Sequence, residues 1–139
     1  MFKKILITVF IFIILGGAVG FYLWNKPPRN ISTAPVEVYI SAVELYKAYA
    51  ANEEASNAKY LAKVIAVEGT VVELQLENEE EPTVALATET EDITVRCGFK
   101  KELLPDVKAL KPGDKIKIKG KCDGLDMFGM VFTQCTLTK

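Results

Sequence analysis

The chain has 139 residues, half of them hydrophobic, with 17 basic and 18 acidic residues, three cysteines and no histidine. That length suits one small domain with an extension, and the lack of histidine removes the commonest acid–base group and the commonest metal ligand. Lys3, Lys4, Lys26 and Arg29 flank an apolar head, leaving 13 basic against 18 acidic residues from Asn30 on, a net charge of −5 that disfavours binding to a phosphate backbone.

Met1 to Lys4 is short and basic, and Ile5 to Trp24 then runs for twenty residues without a charge. A membrane-spanning helix needs about 20 such residues. Tyr22 and Trp24 sit at the far end, where aromatic belts form. Residues 1–25 are therefore read as a transmembrane anchor or uncleaved signal. The rival reading is a cleaved signal peptide, since Ile5 to Leu15 has the length of an h-region and Ala18-Val19-Gly20 is a small-x-small site. Apolar sequence continuing through Phe21 to Trp24 favours the anchor. Lys3 and Lys4 place the N-terminus in the cytoplasm, and so the remainder on the extracytoplasmic side of a single-pass membrane protein. Residues 26–40, with Pro27, Pro28 and Pro35, read as an extended linker.

Ser41-Ala-Val-Glu44 is a capping-box pattern and opens a helix over 41–52, with a second helical turn over 53–60. Lys63 to Leu76 is long for a strand. Ile65, Val67, Gly69 and Val71 share one parity, and the apolar positions then switch to Val72, Leu74 and Leu76. A parity switch beside a glycine predicts a β-bulge in a bent strand that serves two sides of a small barrel. Glu77 to Pro82 is an acidic turn, read as a solvated hairpin tip. Strands follow over 83–88 and 92–99, the latter with Ile93, Val95, Cys97 and Phe99 on one face. Residues 100–110 read as a short helix, and Lys111-Pro-Gly-Asp114 as a turn. Lys115 to Cys122 alternates, residues 123–129 form a loop, and Met130 to Thr138 is the last strand, with Val131, Thr133, Cys135 and Leu137 on its inner parity. The whole is mainly β with flanking helices, in the β-β-β-α-β-β order of a five-stranded OB-fold barrel. One helix and a single transmembrane helix precede it, and residues 41–139 form the domain.

The chain resembles the tRNA_anti-like OB-fold family of exported bacterial proteins. The residues that carry this are Tyr49, Asn52-Glu53, Asn57 to Tyr60, Lys63, Val67 to Gly69, Val71, Val95 to Cys97, Phe99, Leu110 to Asp114, Gly120 to Gly124 and Cys135. The resemblance covers about Ser41 to Leu137. It implies an OB fold and a likeness of fold to anticodon-binding domains; fold is not a site.

In an exported domain an oxidised cysteine pair is expected. Parallel neighbouring third and fifth strands would bring Cys97 to Cys135, while hairpin pairing leaves Cys122 about 13 Å along the strand from Cys135. No Cys-x-x-Cys spacing supports a metal, and no histidine partners a nucleophilic thiol. No cofactor, no metal and no enzymatic activity are expected. Anchored OB domains that carry haem share this layout but rely on a histidine. Lys115, Lys117, Lys119 and Lys121 form a ladder that suits phosphates or anionic headgroups, or that protects a solvent face from unwanted pairing. Met127, Phe128, Met130 and Phe132 form an apolar patch, with Met130 and Phe132 on outward parity, for a protein contact or for packing under the N-terminal helix. The expected function is a membrane-anchored, extracytoplasmic, non-catalytic binding module that contacts another envelope component. The alternative is a single-stranded nucleic-acid binder, which the acidic charge and the lack of aromatics among the lysines oppose.

Overall fold

A computed structural model describes residues 1–26 and 30–138. Its elements in order are α1 (Phe2–Trp24), β1 (Val38–Ser41), α2 (Ala42–Ala51), α3 (Glu53–Tyr60), β2 (Val64–Gln75), β3 (Thr83–Ala87), β4 (Thr94–Phe99), a 3-10 turn (Lys101–Leu103), α4 (Leu104–Lys108), β5 (Lys115–Asp126) and β6 (Gly129–Thr138). α1 buries none of its residues.

β2 is the strand on which the barrel closes. Its first half pairs antiparallel with β5 (Val64↔Lys121 to Thr70↔Lys115), and its second half pairs with β3 (Val71↔Leu86 to Gln75↔Thr83). The register shifts between Val71 and Glu73, so the bulge inferred from the parity switch is present. Ile65, Val67 and Val71 are buried on one side of it, and Leu74 packs on the same core beyond it. Val72 is corrected: it is the extra residue, 45% exposed, and not a member of the inner set. The ring runs β2–β3–β4–β6–β5 and back to β2, with β4 and β6 parallel as expected.

α2 covers the barrel over β2 and β3. Ser41 caps it by accepting from the Glu44 N–H at 3.1 Å, and Leu45 and Tyr49 reach the core. The approach is close enough that a Cβ at Gly69 would come within 3.2 Å of Ala42 Cβ. Asn52 caps α3 in turn, accepting from Ala55 N at 3.0 Å.

β1 has no counterpart in the sequence reading. It lies parallel to β2 (Val38↔Ile65 to Ser41↔Glu68) and adds a sixth strand outside the ring. The stretch read as a linker is also packed from Asn30 on. Ile31 is 1% exposed and clusters with Ala34 and Val64. Lys119 Nζ donates to the carbonyls of Ser32 at 2.9 Å and Ala34 at 2.7 Å. Glu37 exchanges two bonds of 2.8 Å with Val64, one through its N–H and one through its carboxylate. Residues 30–37 thus form a strap on the outer side of β2, which is why Val64 is buried although it faces away from the core. Ile31→Ala is expected to destabilise the domain by about 2 kcal/mol, the low end for a buried isoleucine. Urea denaturation measures it; an unchanged midpoint would mean that the strap is detached in solution.

The end of the chain differs from expectation in two places. β5 runs on to Asp126, so the loop over 123–129 contracts to a hairpin tip of Met127 and Phe128 between Asp126 and Gly129. On β6, Met130 and Phe132 are buried at 0% and 1%, which corrects their outward assignment. The reason is an irregularity at Gln134, whose φ is 53°. Thr133 and Gln134 both separate inward Phe132 from inward Cys135, and the pairing with β5 shifts there, from Lys121↔Thr133 to Lys119↔Thr136. Parity counted back from Cys135 therefore fails before Gln134.

Candidate functional site

The outward side of β3 and β4 leads up to the β5–β6 hairpin. Ala85 on β3 lies opposite Arg96 on β4, which lies opposite Val131 on β6. These positions alternate with Val84, Val95 and Phe132, all in the core. Arg96 therefore faces out because its neighbours face in. Its guanidinium pairs with Asp126 and sits over the Phe128 ring, 5.7 Å from the centroid. Its Nε is buried without a hydrogen-bond partner. Met127 and Phe128 are 89% and 61% exposed, and the tip is fixed by a 2.8 Å bond from Phe128 N–H to Asp126 Oδ1. A tip held by these bonds and carrying an exposed thioether, an aromatic ring and a guanidinium has the composition of a contact hot spot.

Partial burial pushes the Asp126 carboxyl up, but the Phe128 N–H and the Arg96 guanidinium outweigh it and hold the carboxyl below its usual range. Because the folded value is depressed, the stabilisation is present above the unfolded carboxylate value, about 4. It is lost as pH falls through the folded value. Acidification below about 4 is therefore expected to release the tip before the core, with the Phe128 amide shifting in NMR spectra ahead of Val95 and Phe132. Simultaneous loss of all three would refute a separately held tip.

The lysine ladder does not present four free cations. Lys119 is committed to the strap carbonyls and Lys121 pairs with Asp123 at 3.1 Å. Lys117 lies opposite Glu68 across the β2–β5 pair, and Lys115 is exposed. Of the patch residues, the fold keeps Met127 and Phe128 at the surface and takes Met130 and Phe132 inside.

The expected disulfide is corrected: Cys97, Cys122 and Cys135 are all free and buried. Cys97 does neighbour Cys135, whose thiol burial and the Cys97 contact push well above its ordinary value. Cys122 lies apart, 3.7 Å from the Tyr49 hydroxyl, and burial raises its thiol as well. High thiol values make poor nucleophiles and poor metal ligands. Among the described residues, no group of three or more His, Cys, Asp or Glu side chains could hold a metal.

Sequence reasoning passed over Arg96 and Asp126. The available signals were a lone arginine at an outward position between Val95 and Cys97, and an Asp two residues before Phe128-Gly129, a side-chain turn pattern.

A closed ring of five strands, with its helix between the third and fourth, is an OB fold, here with an added edge strand. The chain belongs to the tRNA_anti-like family, whose model matches residues 1–137. Among solved structures it is similar to a candidate nucleic acid-binding lipoprotein of Klebsiella pneumoniae, with a TM-score of 0.60 at 19% identity over 81% of this chain and 100% of that one. It is also similar to a candidate aspartyl-tRNA synthetase of Leishmania major, with a TM-score of 0.50 at 10% identity over 87% of this chain and 25% of that one. At these identities the likeness is one of fold, a fold that nucleic-acid binders use. Among curated proteins, none matches by sequence. α1 is long and apolar enough to cross a membrane, and it also fits a signal sequence.

Proposed function

We propose that the protein is a membrane-anchored, extracytoplasmic OB-fold module without catalytic activity, which contacts another envelope protein through the hairpin tip. The observation that carries this reading is the exposure of Met127 and Phe128 on a tip held by Asp126 and Arg96. Its place supports the reading. Thr94 and Gly129 begin β4 and β6 beside the tip, whereas Phe99 and Gln134 lie toward the other ends of those strands, nearer the strap. The tip thus points away from the end at which the chain runs to α1. The three cysteines, all buried with no exposed surface, offer no thiol nucleophile, in keeping with this reading.

A second reading has one observation in its favour. Arg96 stacked over Phe128 is a platform on which a base could lie. The surroundings oppose it: Glu73, Glu81, Asp123 and Asp126 share that side, and phosphate binding needs cations.

The test is photocrosslinking in cells from a benzoylphenylalanine placed at Phe128 in the full chain, beside a control at exposed Val72. One predominant protein adduct from position 128, absent from position 72 and lost with Arg96→Glu, is the expected result. Failure to crosslink above the control, together with salt-sensitive gel shifts of single-stranded oligonucleotides, would replace this reading with the second.

A further inference from the structure

A second feature lies on the opposite end of the barrel from the tip. The strap, the 3-10 turn and the β6 irregularity enclose a cleft of about 280 Å³, lined by Asn30, Ser32, Lys100, Glu102, Gln134 and Thr136 and floored by apolar groups. Its polar groups include several unengaged donors. Asn30 Oδ1 already accepts from Ser32 N and Oγ, at 3.2 and 2.6 Å, so the remaining Asn30 group is its NH2. Among the described residues, the Lys100 ammonium, the Gln134 amide and the Thr136 hydroxyl make no hydrogen bond or ion pair, while Glu102 is the single carboxylate of the lining. Gln134 holds a left-handed backbone conformation, φ 53°, that asparagine or glycine would adopt at less cost. Lys119 fixes the strap side of the cleft through Ser32 O and Ala34 O. A cleft that offers an ammonium, two amide NH2 groups and a hydroxyl donor suits an oxyanion.

We propose that this cleft binds a phosphate group, and that its source is the headgroup of a membrane phospholipid. The source follows from chain length. Asn30 lines the cleft and is six residues beyond Trp24, the last residue of α1, so the two are within about 20 Å even when the chain between them is fully extended. With α1 in a bilayer, this tether keeps the cleft within reach of the headgroup layer, while the apolar floor accepts glycerol carbons.

The lipid assignment rests on α1 being an anchor; the phosphate chemistry does not. The experiment is a titration of the full-length protein in maltoside micelles, followed by the side-chain amide signals of Gln134 and Asn30. Three probes are compared: dihexanoylphosphatidylglycerol, dihexanoylglycerol, which lacks phosphate, and inorganic phosphate. The phospholipid is expected to shift both signals saturably, dihexanoylglycerol to leave them unmoved, and inorganic phosphate to bind more weakly. Lys100→Ala is expected to weaken phospholipid binding about tenfold, on the scale of one charge-assisted hydrogen bond. Glu102→Gln is expected to tighten it about threefold, by removing an exposed like charge. Gln134→Gly separates binding from folding: glycine relieves the backbone, so the urea midpoint stays or rises while affinity falls.

Equal responses to the phospholipid and dihexanoylglycerol would overturn the phosphate assignment. Binding of inorganic phosphate alone would overturn the lipid source. No shift with any probe would overturn the site. Carbonate extraction of membranes reports separately on the anchor: a chain that resists extraction yet shows no Gln134 shift refutes the cleft and leaves the anchor standing.

Discussion

Gly129→Ala is expected to destabilise the barrel by about 3 kcal/mol or more, and to leave much of the chain unfolded at 37 °C. Two effects add. The residue sits at φ +132°, a conformation that L side chains rarely adopt. It also lies opposite Thr94 at the first rung of the parallel β4–β6 pair, where an added Cβ would stand 1.9 Å from the Thr94 carbonyl oxygen and 2.9 Å from its nitrogen. Both are backbone atoms, so no side chain can rotate away; β4 and β6 must separate. That rung begins the pairing that joins the third and fifth strands of the ring, and a barrel opened there exposes Val95, Phe132 and Met130. Thermal unfolding by circular dichroism checks the effect. A Tm drop of only a degree or two would show that the two strands are not in this register.

Phe132→Ala is expected to cost about 3–5 kcal/mol, whereas Phe128→Ala, four residues earlier, should change stability by no more than about 0.5 kcal/mol. The contrast follows from burial: Phe132 is 1% exposed inside the ring, and Phe128 is 61% exposed on the tip. Removing the Phe132 ring leaves a cavity bordered by strands that pair with one another and cannot close on it. Removing the Phe128 ring leaves no enclosed cavity, only a lost contact with the Arg96 guanidinium. Urea midpoints of the two variants decide the matter. Equal, small effects would restore the outward parity of Phe132 and overturn the β6 register described above. The same pair carries a functional contrast: with the benzoylphenylalanine moved to neighbouring Met127, Phe128→Ala is expected to abolish crosslinking to a partner while leaving the fold intact.

Much of the architecture was legible where local chemistry and tertiary packing agree. The capping serine at position 41 and the bulge after Val71 were visible in spacing and type, and the nearness of Cys97 to Cys135 followed from the parallel third and fifth strands of the OB-fold order. Three features were hidden, each for a physical reason. β1 is only four residues long, and its stability comes from the β2 edge rather than from its own pattern. The strap is held by one buried isoleucine and by a lysine that reaches across to carbonyls, and no periodicity in residues 30–37 announces either. The inward face of Met130 and Phe132 depends on an extra residue at Gln134, and nothing in the type of a glutamine signals a left-handed turn. The contact tip was half legible. Met127 and Phe128 stood out as apolar residues in a loop, but Arg96 and Asp126 join them only through pairing between strands far apart in sequence.

The three thiols are shut inside the barrel, Cys97 and Cys135 side by side and Cys122 beneath Tyr49. An alkylating dye added to the native protein therefore reacts only with molecules that have transiently opened. The labelling rate of each sulfur is a built-in clock, reading how often its own quarter of the wall comes apart without any engineered probe.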